Sequence, residues 1–544
     1  MSITRRTLLH SGLKIGAAAA AVSALPRPLL AQLGLKLEPL PPVEDPTLKA
    51  LTARALDAAR GAGASYADVR LTHERIRGFD SQLGVNDSES MLVGVRALVN
   101  GYWGFASSPV WTPDEMARLA REAVHQAKTN ALGKARTVDL APTPVIADGH
   151  WEMPVAIDPF QISPFEVIDF LTSMGVYLNR TPRTQLGQSA CAAIVQEKAF
   201  ASTAGSYCTQ RSYRTSGGFN FILTLEHGQR GGSGLDCLSA AGMGWELFTA
   251  ARIPRVRDHT VYEEIDRALE ELKEDLLMPV KPVEVGRYET AFDPFTVAAI
   301  IDATLGRATE LDRALGYEAN AGGTSYLNDP AGMLGSYQAG ASTLTLTAER
   351  SEPGAVATVK WDDEGVAPDA FTLVKDGVLN DFQTTRESAR WLGDAYVKHG
   401  RAIRSHGCAA APSAVFAQAQ HSPNLSVAPG REARDFDALV SGMVRGVAVK
   451  SGGVDLDFQR SSGLGNGRLY EVKQGKRVNR LAGGFLFRST ELWKSLQALG
   501  GEGSLRRYGM RASKGEPVQE YNHSVTAPAA LVKDLTIIDP LRKA

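Results

Sequence analysis

Apolar positions along the chain change period several times, and each change marks an element. From Asp45-Pro46 onward, Leu51, Ala55, Leu56 and Ala59 recur at helical steps until Gly61-Ala62-Gly63 stops the helix. Residues 65–71 and 91–99 have strand character, and Asn100-Gly101 reads as a hairpin turn leading into Tyr102-Trp103-Gly104-Phe105-Ala106. Helical period returns over 114–128. A helix, strand, hairpin, helix order predicts an α/β layer over 45–140. A proline-bearing connection, 140–154, leads to a middle α+β region over 150–280, with a helix at 164–179 and strands at 193–196 and 219–225. Gly231-Gly232-Ser233-Gly234 reads as a flexible turn, since it lacks the lysine and the strand-to-helix setting of a phosphate loop. Residues 262–277 form an amphipathic helix whose acidic run reads as a solvated face, and Met278-Pro279-Val280-Lys281-Pro282 reads as a domain boundary.

The span 285–540 is predicted as a mostly β domain around one helix, so the fold class is α+β. Strand 288–292 enters a helix over 291–316, with Asp293 as N-cap, Pro294 at the first helical position and Gly316 closing the far end. Phe295, Ala298, Ile301, Leu305, Ala308, Leu311 and Leu315 make one apolar stripe, and Asp302 lies beside it. Strands follow at 343–347, 356–361 and 371–374, the last turning at Asp376-Gly377 into Val378-Leu379.

At 544 residues the chain is long enough for two or three domains. Its 59 basic and 60 acidic residues leave a formal charge of −1, which argues against a general nucleic-acid binder. The segment 1–31 reads as an export signal: Arg5-Arg6, then Lys14, then an apolar run over 15–25 too short to span a bilayer. It carries Arg5, Arg6, Lys14 and Arg27 and no acid, so its removal takes the charge from −1 to −5. Residues 33–46 read as a linker or surface arm. Cys191, Cys208 and Cys237 lie close enough in sequence for one local disulfide in an oxidising compartment, with free buried thiols, Cys408 included, as the alternative.

Several stretches resemble the TldD/PmbA family. SYADVRL and GVRALVNGYWGFASS, over 65–71 and 94–108, are similar to its N-terminal signature; residues 202–210, 362–366, 375–379, 422–430, 445–453, 457–459 and 475–478 resemble later blocks, and 527–537 its ending. The resemblance implies that the helix after Asp293 carries an HExxxH-type zinc motif with an acidic run behind it. Here the motif positions read Asp302, Ala303 and Arg307, with Glu310 and Asp312 keeping the acidic run, and the family's C-terminal cysteine block reads Met510-Arg511-Ala512-Ser513-Lys514. Zinc hydrolysis needs imidazole ligands and a carboxylate base, and arginine has no lone pair to offer a metal. No metal or other cofactor and no catalytic residue is therefore expected, and these five residues are expected to mark an altered site.

An Asp302–Arg307 ion pair is one reading of that site. Two unrelated surface charges is the other, because five residues is not a standard helical pairing interval. His399, His406, Cys408 and His523 have metal-compatible chemistry, but their spacing matches no metal pattern, and they read as loop residues. The resemblance further implies a metal-free, PmbA/TldE-like subunit, exported through the twin-arginine machinery to the periplasm. It would pair there with a TldD-type zinc subunit, or with itself, around unfolded peptides. An active metallopeptidase with unorthodox ligands and a non-proteolytic homodimer remain as alternatives.

Overall fold

The alternation around the Asn100-Gly101 turn resolves into a long antiparallel ladder. Asn100 and Gly101 both take positive φ, 53° and 83°, as a two-residue hairpin turn of this hand requires. The structure, a computed structural model, describes residues 45–82, 84–132 and 137–539, so the export signal and most of the following arm lie outside the described residues. Among the described residues the first sheet runs Tyr102–Ser108, Gly84–Val99, Tyr66–Asp80, Thr184–Ser202, Tyr207–Thr224 and Gly149–Glu152, with Arg230–Gly234 also paired to Tyr207–Thr224. The strands of 45–140 and 150–280 thus share one sheet. What changes between the two regions is the helical cover: Pro46–Ala62 and Pro113–Asn130 bury Leu51, Ala55, Met116 and Ala120 against Val69 and Val93, whereas Pro164–Leu178 and Val261–Leu277 bury Leu171, Met174, Ile265 and Leu269 against Phe219 and Phe221.

Two local expectations change. The glycines of 231–234 form an edge strand instead of a loose turn, because missing side chains let helix 261–277 approach: a Cβ on Gly231 would lie 3.0 Å from Leu276. The acidic run on that helix is only partly solvated. Asp275 is buried and accepts from Tyr470 at 2.8 Å and Arg468 at 3.2 Å, while Glu271 pairs with Lys450 at 2.7 Å. Val280–Pro282, placed at a domain boundary, is an edge strand of the C-terminal sheet, paired parallel with Lys476–Ala482.

Two further sheets enclose the C-terminal core. The larger runs Val454–Leu456, Ser462–Gly465, Gly484–Arg488, Ala530–Ile538, Gly286–Phe292, Arg445–Lys450, Arg468–Lys473, Lys476–Ala482 and Val280–Pro282, with Leu496–Leu499 paired to Ala530–Ile538. The other runs Val378–Leu379, Phe371–Lys375, Leu346–Glu349, Asn424–Val427, Gln519–Ala527 and Arg506–Lys514. Helix Pro294–Ile301 lies between them, its Val297, Ile300 and Ile301 packed with Leu346, Leu425, Val449 and Val525. The hairpin at Asp376-Gly377 forms, with φ of 49° and 81°. Residues 356–361, expected as a strand, are not one. Four of their amides are satisfied by side chains, Val356 by Ser524 Oγ at 3.0 Å, Ala357 by Asn424 Oδ1 at 3.0 Å, and Lys360 and Trp361 by Gln210 Oε1, while Thr358 and Val359 donate to the Ala355 and Arg350 carbonyls. With those donors occupied, a ladder has nothing to bond. The four cysteines are buried free thiols, with no disulfide among the described residues.

Asp363 and Glu364 tie the first sheet to the C-terminal core. Asp363 meets Arg70 at 3.3 Å and Lys198 at 3.0 Å; Glu364 meets Arg96 at 3.1 Å, and Arg96 also holds Asp68 at 2.8 Å. All six are buried or nearly so, and Arg96 lies 3.9 Å from the centroid of the Trp103 ring. Removing one partner of such a network leaves an uncompensated buried charge. Arg96→Ala is expected to destabilise the first urea unfolding transition by about 3–5 kcal/mol, whereas Arg118→Ala, which loses exposed pairs on an outer helix face, should leave its midpoint unchanged.

Candidate functional site

The stretch 291–316 does not form a single helix. Asp293 caps as expected, accepting from the Thr296 amide at 2.9 Å, and Pro294 opens the helix. The α-helix Pro294–Ile301 then widens into a π turn over Asp302–Gly306, breaks at Thr309-Glu310, and resumes for one turn at Leu311–Ala314. Gly316 closes that turn at φ 86°. Two threonines accompany the widening by bonding back to the helix: Thr304 to the Ile300 carbonyl at 2.5 Å and Thr309 to that of Leu305 at 2.7 Å. Carbonyls that the α pattern would have used are taken by distant side chains. Gln383 donates to Gly306 at 2.6 Å and Arg460 to Ala303 at 3.3 Å. Gly306 leaves room for a neighbouring side chain, since a Cβ there would sit 2.7 Å from Leu425 Cδ1.

A π turn closes from i to i+5, and the Arg307 amide accordingly bonds the Asp302 carbonyl. That register makes a five-residue interval a pairing distance. Arg307 reaches both carboxylate oxygens of Asp302, Nε to Oδ1 at 3.3 Å and Nη2 to Oδ2 at 3.2 Å, and Nη2 also donates to the Arg511 carbonyl at 3.3 Å. Both residues are buried, so they are not two unrelated surface charges. A third group completes the site: His523 Nε2 lies 2.8 Å from Asp302 Oδ1. Burial acts to raise the Asp302 pKa, but the Arg307 charge and His523 outweigh it and hold the carboxyl far below its ordinary range. The carboxylate is therefore ionised, and His523 Nε2 carries the hydrogen it donates.

The acidic run lies alongside. Glu310 accepts from Arg313 at 2.8 Å, Lys514 at 3.2 Å and Ser422 at 3.0 Å; Asp312 accepts from Lys514 at 2.7 Å. Burial would raise the Glu310 pKa, yet Lys514, Arg313 and Arg307 depress it well below the carboxylate range, while burial leaves Asp312 raised. Lys514 comes from strand Arg506–Lys514, so the altered C-terminal block reaches the acidic run of the helix. Ala303, between these clusters, offers only a methyl group and a carbonyl held by Arg460.

Domain models match this chain at both ends of the architecture just described. The model described as PmbA/TldA metallopeptidase domain 1 covers residues 70–127, and the PmbA/TldA metallopeptidase C-terminal domain covers 285–539, the span holding the site. The chain belongs to the TldD/PmbA family. Among its relatives, metalloprotease MJ0996 of Methanocaldococcus jannaschii is 23% identical over 312 residues, covering 57% of this chain and 63% of that protein, less than two thirds of its length. Solved structures with the same fold include TldE from Thermococcus kodakarensis, with TM-score 0.65, 12% identity, and 90% of this chain matched to 99% of that one. A candidate modulator of DNA gyrase from Thermotoga maritima gives TM-score 0.66 at 17% identity, with 90% and 100% covered.

Of the residues of this TldD/PmbA chain read as ordinary loop positions, His399, His406 and Cys408 do lie outside helices and strands, and His523 does not. His523 is fully buried on strand Gln519–Ala527, where Tyr521, His523 and Val525 alternate inward; that alternation was the available signal. His406 is buried too, between Asp369 at 3.0 Å and Asp381 at 3.2 Å and stacked on Phe371. Cys408 is buried elsewhere in the core, and neither it nor His399 joins Asp302. Arg307→Met is expected to cost about 3–5 kcal/mol, with much of the loss recovered in Asp302→Leu/Arg307→Met, as a double-mutant cycle in urea would show. Folding lowers the Asp302 pKa, so its contribution is complete above the ordinary carboxylate range and fades as pH falls through that range toward the depressed value. The stability gap between wild type and the double variant should narrow in the same direction.

Proposed function

We propose that this chain is a non-hydrolysing TldD/PmbA subunit, exported to the periplasm, that completes a peptide-binding chamber with a zinc-bearing TldD-type relative. The observation carrying this reading is the bonded set Asp302, Arg307 and His523, which engages the first and last positions of the HExxxH-type motif with the chain's own side chains. A catalytic zinc takes three protein ligands and leaves a position for water. Here Arg307 cannot ligate, Ala303 cannot act as base, and the Asp302 carboxylate is neutralised by a guanidinium. The block that bears a cysteine in the family carries Lys514, which is turned toward Glu310 and Asp312. The residues present therefore do not fit the family's zinc, and no hydrolytic step is derived for them.

A chain without nucleophile, base or metal contributes binding and positioning. An extended peptide would be held by strand addition to a sheet edge. The test uses the mature chain alone and mixed with a zinc-bearing relative from the same cell, on an unfolded peptide with and without chelator. The lone chain should be inactive, and the mixture should cleave in a chelator-sensitive way and faster than the relative alone. Chelator-sensitive cleavage by the lone chain would overturn the subunit reading, and a relative indifferent to this chain would overturn the pairing.

A further inference from the structure

One feature of the site lies outside the proposed role of the Asp302 cluster. Arg313 and Arg460 converge on a main-chain oxygen: Arg313 Nη1 donates to the Gly322 carbonyl and, at 3.2 Å, to that of Gly323, while Arg460 Nη2 donates to Gly322 at 3.4 Å. Each guanidinium keeps a nitrogen in reserve. Arg313 Nη2, on a fully buried side chain, has no hydrogen-bond partner, nor has the buried Nε of Arg460. Arg313 is paired with Glu310, but Arg460 donates only to main-chain carbonyls, those of Ala303 and Gly322, among the described residues. Burial, with Arg313 and Arg307 nearby, lowers the Arg460 pKa to about 10, as expected for a cation lacking an anion.

The oxygen between them belongs to a strap of turns that leaves the site at Gly316 and returns at Gly323, residues with φ of 86° and 82°. Gly322 needs no side chain here, because a Cβ would lie 2.9 Å from Arg313 Nη1. The strap is held where Tyr317 stacks on Trp391, with ring centroids 4.7 Å apart, where Glu318 accepts from the Gly515 amide at 3.0 Å, and where the Thr324 amide donates to the Phe458 carbonyl at 2.8 Å. A neutral carbonyl is a weak occupant for two guanidiniums, and a carboxylate offers two charged oxygens in the geometry that a guanidinium fork matches.

We propose that Arg313 and Arg460 form a receptor for a carboxylate of a bound peptide, and that the Gly322 carbonyl holds this place until the strap lifts. The inference rests on the peptide-binding reading above and deepens it, naming the end or side chain by which the peptide is anchored. The carboxylate has two sources, the peptide's C-terminus or an acidic side chain.

The test measures affinity of the purified mature chain, by fluorescence anisotropy, for three forms of one unstructured and otherwise uncharged peptide. These are the free acid, its C-terminal amide, and the amide with one internal glutamate. The free acid should bind about tenfold or more tighter than the neutral amide. That preference should vanish in Arg460→Gln, survive in part in Arg460→Lys, and grow in Glu318→Ala, which removes the acceptor of the Gly515 amide and releases the strap. Melting curves of each variant establish that it is folded. If the internal-glutamate amide binds as tightly as the free acid, the receptor stands and takes side chains as well. Equal affinity for free acid and neutral amide would overturn the receptor and leave peptide binding intact, as would a preference undiminished in folded Arg460→Gln. Failure of all three peptides to bind would overturn both readings.

Discussion

A buried carboxylate must be neutralised, and the way Asp302 is neutralised shapes the rest of this site. Helix Pro294–Ile301 is enclosed between two sheets, so bulk water does not offset the charge. The π turn brings Arg307 into register with Asp302, and the hairpin Arg506–Lys514/Gln519–Ala527 brings His523 and the Arg511 carbonyl against the pair from the other side. Each partner fixes another: Arg307 is held by Asp302 and a strand carbonyl, and the strand carrying His523 pairs with the one that presents Lys514 to the acidic run. Helix and C-terminal strand are thus joined by hydrogen-bonded charged side chains.

The same economy appears at the joints between layers. Side-chain amides take the place of sheet ladders where the chain must turn without regular structure. Gln210 from the first sheet caps Lys360 and Trp361, Asn424 accepts from Ala357 and Ser524, and Gln383 satisfies the carbonyl freed at Gly306. The contacts of Gln210 and Asn424 involve stretches 202–210 and 422–430, which resemble family blocks. Their shared physical job is to hold irregular buried backbone with every donor engaged, and charged bonds from Asp363 and Glu364 to Arg70, Lys198 and Arg96 add orientation between layers.

Local chemistry was legible from the sequence, and long-range chemistry was not. The turns at Asn100-Gly101 and Asp376-Gly377, the Asp293 cap and the closing Gly316 each depend on one or two neighbouring residues, and all formed where read. The pair of Asp302 and Arg307 could be suspected from residue type. Its geometry could not, because the π turn depends on Gln383 and Arg460, 77 and 157 residues from the carbonyls they hold. His523 went unrecognised for the same reason: 221 residues separate it from Asp302, and no spacing rule spans that distance. Val356 through Trp361 looked like a strand by composition and lost that fate to side chains from Ser524, Asn424 and Gln210.

The chain's own guanidinium and imidazole hold Asp302, and a cluster engaged in this way is expected to offer no seat to a divalent ion. Zinc titrated into the mature, metal-stripped chain at neutral pH, followed by calorimetry, tests this most directly. No stoichiometric high-affinity binding is expected, and no change when Asp302→Asn is titrated in its place. One equivalent of tightly bound zinc in the wild type, lost in Asp302→Asn and in His523→Gln, would contradict it.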